Sequence, residues 1–148
     1  MLDRNDIFYF DKLKVIEVLS LKDDIIFVGG TSEYLQGLKN NLNDIDITIT
    51  DINCLKDIGY IHRFYQNIFF NLSGNRGVIK LKNVLIDIFI EDKKPDYIIY
   101  NNFKCETIDS MINLRQNTLD FNLINNEKIE FKIKYNLNRL KKWKQLQS

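Results

Sequence analysis

Three aspartates stand where chemistry is expected: Asp44 and Asp46 in "NDIDITIT" and Asp87 in "VLIDIFIED". The first two alternate with Ile45, Ile47 and Ile49, the period of a β-strand, so both carboxylates leave one face and the isoleucines the other. At a rise of ~3.3 Å per residue their backbone origins lie about 6.6 Å apart, near enough to converge on one point. Two like charges about 5 Å apart repel by roughly 3 kcal/mol at an effective dielectric of ~20, and a divalent cation is the simplest group to offset that. A half-exposed strand with a solvated acidic face is the plainer alternative. Asp87 has apolar neighbours on both sides, the pattern of a central, buried strand. A lone charge there is costly, so Asp87 either pairs with a lysine or arginine or joins the other two aspartates at a cation.

Upstream of the aspartates, "DIIFVGG" reads as a buried strand running into Gly29-Gly30, and "TSEYLQGLKN" as a helix beginning just after the glycines, with Thr31 or Ser32 as its cap. Glycines at such a junction let a phosphate approach the backbone, and the helix start offers free N–H groups and a positive dipole end. No Gly-Lys-Ser/Thr follows, so this is not a P-loop, and a tight turn is the plainer reading of the glycines alone. "DKLKVIEVLS" predicts a short first helix carrying Leu13, Ile16, Val18 and Leu19. "DINCLKDIGY" reads as a helical excursion capped by Asp51. "NIFFNLS", "GVIKLKN" and "VLIDIFIED" read as strands, the first two joined at a turn, "SGNRG", which places Arg76 at a hairpin end. "KKPDYIIYNNFKCETI" holds the only proline and one further short strand. "TIDSMINLRQNTL" predicts a helix, "EKIEFKIK" fits a strand or an irregular link, and "YNLNRLKKWKQLQ" predicts a basic terminal helix with Leu137, Leu140, Trp143 or Lys144, and Leu146 inward. Its "NRLKKWK" suits RNA phosphates with Trp143 stacked on a base, or else an amphipathic helix with the tryptophan in the core.

The bulk properties agree with one globular α/β (α+β) domain. The chain has 148 residues, 45% hydrophobic and 28% charged, enough for a real core. No apolar run nears the ~20 residues of a membrane span, and the N-terminal residues do not resemble a signal peptide. Cys54 and Cys105 stand apart and His62 is the only histidine. A zinc site is not expected, and a reduced, cytoplasmic setting is. The absence of alanine and the wealth of Ile, Asn, Lys, Phe and Tyr match an AT-rich genome, such as that of a phage or a low-GC bacterium. Residues 1–60 carry a net charge of −5 and residues 61–148 a net charge of +6. Such polarity suits an enzyme that holds cations at one side and polyanions at the other.

The order and spacing of these features resemble the polymerase-beta-type nucleotidyltransferase superfamily. Its pattern is an apolar residue, Gly, Gly or Ser, nine to thirteen residues, then acidic–apolar–acidic–apolar, with a third acidic residue on a later strand. Here it reads Val28-Gly29-Gly30, thirteen residues, Asp44-Ile45-Asp46-Ile47, and later Asp87. The "GG…LQG…NDIDI" run is also similar to the head of tRNA nucleotidyltransferases, without the Arg-Asp pair those enzymes carry; Ser32, Glu33 and Tyr34 stand there. The resemblance covers residues ~25–90. It implies a mixed central sheet flanked by helices, with a catalytic core over about 20–105 and a helical extension over about 106–148. It further implies Mg²⁺ or Mn²⁺ held by Asp44, Asp46 and Asp87 in two-metal transfer of a nucleotidyl group from a nucleoside triphosphate such as ATP. Gly29, Gly30, Thr31 and Ser32 would bind the β/γ phosphates, with Arg115 reaching the triphosphate. The acceptor would be an RNA 3′ end or a protein hydroxyl, and a small helical protein could complete the site. The alternatives are an antibiotic-type small-molecule transferase and a catalytically silent binding or regulatory module.

Overall fold

The computed structural model describes residues 9–58, 61–66, 75–120 and 126–147. The chain opens with helix α1 (Tyr9–Ser20), which turns Val15, Ile16 and Leu19 into the core and leaves Val18 outside. Strand β1 is only Ile26–Phe27, and helix α2 (Gly29–Leu35) starts at the glycine pair itself. Val28 precedes that helix without a side-chain cap. Thr31 and Ser32, expected as caps, lie inside the helix and are buried. Strand β2 (Ile45–Ile49) carries the aspartate motif, and a 3₁₀ turn (Ile52–Leu55) follows, capped as expected by the Asp51 carboxylate, which accepts from the Asn53 N–H at 2.9 Å.

Strands β3 (Ile61–Gln66), β4 (Asn75–Leu81) and β5 (Val84–Ile90) form an antiparallel meander. The expected strand "NIFFNLS" lies outside the described residues. Lys82 and Asn83, both with positive φ, make the two-residue turn between β4 and β5. Beyond Pro95 the single strand expected is a hairpin of two, β6 (Tyr97–Tyr100) and β7 (Phe103–Glu106), turning at Asn101-Asn102, again with positive φ. Asparagine is among the few residues that tolerate that conformation, so the "NN" pair was a turn signal. Helix α3 (Ile108–Asp120) follows, its first turn held by the Thr107 hydroxyl, which accepts from the Ser110 N–H at 3.1 Å.

Helix α4 runs unbroken over Glu127–Gln147, so "EKIEFKIK" is helix. The Asn126 side chain starts it, accepting from the N–H groups of Lys128 and Ile129 at 3.0 and 3.2 Å. Its inward residues are Ile133, Leu137 and Leu140; Trp143 is half-buried and Leu146 is exposed. Alternation in "KIEFKIK" mimicked a strand, but Ile129, Ile133, Leu137 and Leu140 are spaced at 3.6-residue period, and that stripe packs against α3.

The described strands form one mixed sheet in the order β3-β4-β5-β2-β1-β7-β6, with β2–β5 and β1–β7 parallel and the other neighbours antiparallel. Ile45, Ile47 and Ile49 of β2 lie beside Ile86 and Ile88 of β5 on the core face, joined by Val15, Ile16 and Leu19 of α1. Each such side chain contributes roughly 1.5–3 kcal/mol on burial, so this face fixes the register of β2 against β5. Register then decides what the opposite face can do.

Candidate active site

On that opposite face, Asp46 lies directly beside Asp87 across the parallel β2–β5 ladder. The isoleucines that flank each of them are fully buried, so neither strand can slip by one residue without driving a charge into the core. The two carboxyls are close enough for each to act on the other's protonation. Asp44 sits just before β2, exposed at the mouth of the same cleft. Asp46 is pushed up to about 7, first by burial and then by the charges of Asp87 and Asp44, against the pull of Arg76 and Lys39. Asp87 is raised too, by burial, with Arg76 opposing. All three aspartates thus line one cleft, with Asp46 and Asp87 neighbours across the ladder.

The cleft measures about 510 Å³ and is floored by these strands and by the Gly29–Gly30 start of α2, with α3 and α4 as its far wall. Gly29 has φ +53, and a Cβ there would stand 3.3 Å from Asp46 Oδ2. A Cβ on Gly30 would stand 3.1 Å from the Lys39 ammonium. The glycines therefore let the Asp46 carboxylate and the Lys39 cation lie against bare backbone. Val28 N–H donates to the Asp46 carbonyl at 3.0 Å, and the Thr31 hydroxyl accepts from the Asp46 N–H at 2.8 Å, locking the aspartate strand to the helix start.

Of the five further residues expected to contact a triphosphate, three line the cleft and two do not. Gly29 and Gly30 line the cleft. The Thr31 and Ser32 hydroxyls do not: Thr31 braces Asp46, and Ser32 donates to the Glu106 carbonyl at 2.8 Å. Arg115 lines the cleft but is almost buried, its guanidinium donating to the Met111 carbonyl at 3.2 Å and lying 4.0 Å from the Glu33 carboxylate. Arg139 of α4 pairs with the same carboxylate, so Glu33 ties α2 to both later helices.

Arg76 is a strand residue, not a turn residue. Its guanidinium lies 3.5 Å from Asp87 Oδ2 and 5.1 Å from the centre of the Phe89 ring. It sits on β4 two residues from Val78, the register partner of Asp87, which puts both on one face. The sequence signal was the strand alternation that begins at Asn75, masked by the turn-like composition of "SGNRG".

Glu106, at the end of β7, gave no signal at all. It is buried in the cleft wall, accepting from the Ser110 hydroxyl at 2.7 Å and from the Gly29 N–H at 3.4 Å. Burial raises it, while Ser110, Arg115 and Gly29 hold it back. Its backbone carbonyl also accepts from Gln36 at 2.9 Å, so the end of β7 is clamped onto α2.

A hard divalent cation fits the donor chemistry, since carboxylate oxygens are its usual ligands and Asp46, Asp87 and Asp44 offer them in one cleft. Among the described residues, however, no three carboxylate, histidine or cysteine side chains stand close enough as placed to make a closed metal cage. Asp46 and Asp87 are the paired donors, with Asp44 the outlying one.

No protein-family model matches the chain, and no curated protein matches it significantly. Two solved structures, both described as a "putative nucleotidyltransferase", are similar to it. The one from Thermotoga maritima is 16% identical with a TM-score of 0.53, over 91% of this chain and 94% of that one. The one from H. pylori is 17% identical with a TM-score of 0.49, over 76% of this chain and 59% of that one. The seven-stranded mixed sheet with its flanking helices is accordingly the α+β, nucleotidyltransferase-like fold of the Thermotoga maritima structure.

Proposed function

We propose that the cleft moves a nucleotidyl group from a nucleoside triphosphate to a hydroxyl acceptor, releasing pyrophosphate. The observation that carries this reading is the Asp46–Asp87 register across β2 and β5, with Asp44 at the cleft mouth and the Gly29–Gly30 helix start beside it. Asp44, Asp46 and Asp87 are the residues to hold Mg²⁺ or Mn²⁺, which when bound supplies charge neutralisation on the phosphates and a lowered pKa for the acceptor hydroxyl. The acceptor oxygen attacks the α-phosphorus, the bond from that phosphorus to the α–β bridging oxygen breaks, and the pyrophosphate takes the electron pair. The hydroxyl proton passes to a carboxylate, for which Asp87, itself raised by burial, is placed.

The remaining residues bind and orient. Lys39 and the bare backbone at Gly30 offer a cation and an N–H donor to the β/γ phosphates. The long 3.4 Å bond from Gly29 N–H to Glu106 is weak enough for a phosphate oxygen to replace. Arg76 holds Asp87 in place from the strand next to it.

The test is incubation with each α-³²P nucleoside triphosphate and Mg²⁺ in the presence of total RNA or cell lysate, beside the Asp44→Ala/Asp46→Ala double variant. Label on RNA or protein, lost in the variant, is the expected result. Label of equal strength in both proteins overturns the reading. Mg²⁺-dependent nucleotide binding without any transfer to RNA, protein or small hydroxyl compounds favours the silent binding module.

A further inference from the structure

Helix α4 carries more than its share of the fold. Its inner stripe, Ile133, Leu137 and Leu140, is spent on packing. Its outer face keeps two aromatic rings in solvent, Phe131 at 72% and Tyr135 at 61% exposure. At about 100° per residue they fall within ~40° of each other, one turn and about 6 Å apart along the axis. Lys128 and Lys142 fall within about 60° of the same line. Lys132 follows Phe131 directly and lines the cleft, as do Ile129 and Asn136 on the flank beyond it. The aromatic face and the cleft are thus neighbours on one helix, with Lys132 at the border.

The helix bears seven basic residues against two acidic ones. Lys134, Lys141 and Lys144 are engaged with Glu130, Gln116 and Asp109 respectively. Lys128, Lys132 and Lys142 make no ion pair with a described residue. A face that docks protein is depleted in lysine at its centre, whereas rings interleaved with free lysines match phosphates and unpaired bases together.

We propose that the outward face of α4 binds a single-stranded polynucleotide, its bases on Phe131 and Tyr135 and its phosphates on Lys128, Lys132 and Lys142, and leads its end past Lys132 into the cleft. The surface stands on its own observations; that the end delivered is the acceptor hydroxyl rests on the transfer reading above. The proposal names the acceptor class that the catalytic residues leave open.

The experiment is fluorescence anisotropy with labelled 15-nucleotide oligo(U), oligo(dT) and a duplex of equal length, at 50 and 200 mM salt. The single strands are expected to bind in preference to the duplex, and the tighter of the two tells whether the strand is RNA or DNA. Three neutralised phosphates give a slope of log affinity on log salt of about −2, a loss of roughly twentyfold between the two salt concentrations. Phe131→Ala/Tyr135→Ala is expected to weaken single-strand binding by roughly a hundredfold, about tenfold per ring, and to keep the circular dichroism of the parent because both rings are exposed. Lys128→Ala/Lys132→Ala/Lys142→Ala is expected to flatten the salt slope. Absence of oligonucleotide binding overturns the proposal, as does equal affinity for the duplex or a ring variant that binds as the parent does. So does a dimer in sedimentation equilibrium that the ring variant dissolves, since that makes the face a protein interface. The Asp44→Ala/Asp46→Ala protein is carried through the same titration. Strand binding retained there without any transferase activity in the parent separates failure of the transfer reading from failure of this one.

Discussion

Replacing Asp46 with asparagine should make the metal-free protein more stable while removing its response to Mg²⁺. Asp46 rises from 3.8 to about 7 on folding because burial and two neighbouring carboxylates disfavour its charge. Between those two values the native state binds more protons than the unfolded chain, so folding stability is lost as the pH climbs through that window. The loss amounts to about 4 kcal/mol once the pH is above 7, more than half of it between pH 5 and 8. Asp87 and Glu106 are raised in the same direction and steepen the parent's profile further. The difference between parent and variant therefore reports Asp46 together with its coupling to Asp87. Urea unfolding in EDTA at pH 5, 6.5 and 8 should show Asp46→Asn gaining on the parent as the pH rises, by about 2–4 kcal/mol at pH 8. Mg²⁺ at ten times its dissociation constant should restore about 1.4 kcal/mol to the parent at pH 8 and little to the variant. A variant no more stable than the parent at pH 8, or a pH-independent gap between them, would refute the claim that burial and its neighbours hold Asp46 above the usual carboxylate range.

Two further substitutions probe the frame around that pair. Gly29→Ala forces a side chain into the left-handed region at φ +53 and to within 3.3 Å of Asp46 Oδ2, so it should destabilise the fold by about 1–2 kcal/mol in urea and weaken Mg²⁺ binding measured by calorimetry. Glu33→Ala takes from Arg115 and Arg139 the buried carboxylate they share and should cost about 3 kcal/mol, read as an earlier thermal or urea transition; an unchanged midpoint would mean that the helices are not tied through Glu33.

How far the sequence foretold the molecule depends on whether its signals were local. The β2 and β5 strands were legible because alternation of isoleucine with aspartate has one period and one meaning, and the face it assigns to Asp46 is the face the structure uses. The cap at Asp51 and the helix from Ile108 were legible for the same reason. Helix α4 was half legible: "KIEFKIK" alternates over seven residues, and only the longer stripe through Leu140 reveals the helical period. Arg76 and Glu106 were not legible. Each acts through a partner distant in sequence, Arg76 on Asp87 from the neighbouring strand and Glu106 on Gly29 across 77 positions. Thr31 and Ser32 failed differently. Their types and position fit a phosphate, but the helix begins three to four residues earlier than a hydroxyl cap would require, and one turn of helix carries both side chains inward.

The raised state of Asp46 has a structural cause that also explains its counterions. Nothing within β2 or β5 can separate Asp46 from Asp87, because the isoleucines between them are committed to the core. Relief must come from outside those strands, and the fold supplies it unevenly. Arg76 approaches Asp87 from β4, and Lys39 approaches Asp46 from beyond α2, yet Asp46 remains near 7 with both in place. Cations within the chain therefore position the carboxylates without returning Asp46 to its ordinary range. A site meant only as a solvated acidic face would need neither arginine nor lysine here, and a structural ion pair would have neutralised Asp46 outright. The raised carboxyl beside two fixed cations fits neither, and it is what the metal-dependent transfer proposed above expects of the protein without its metal.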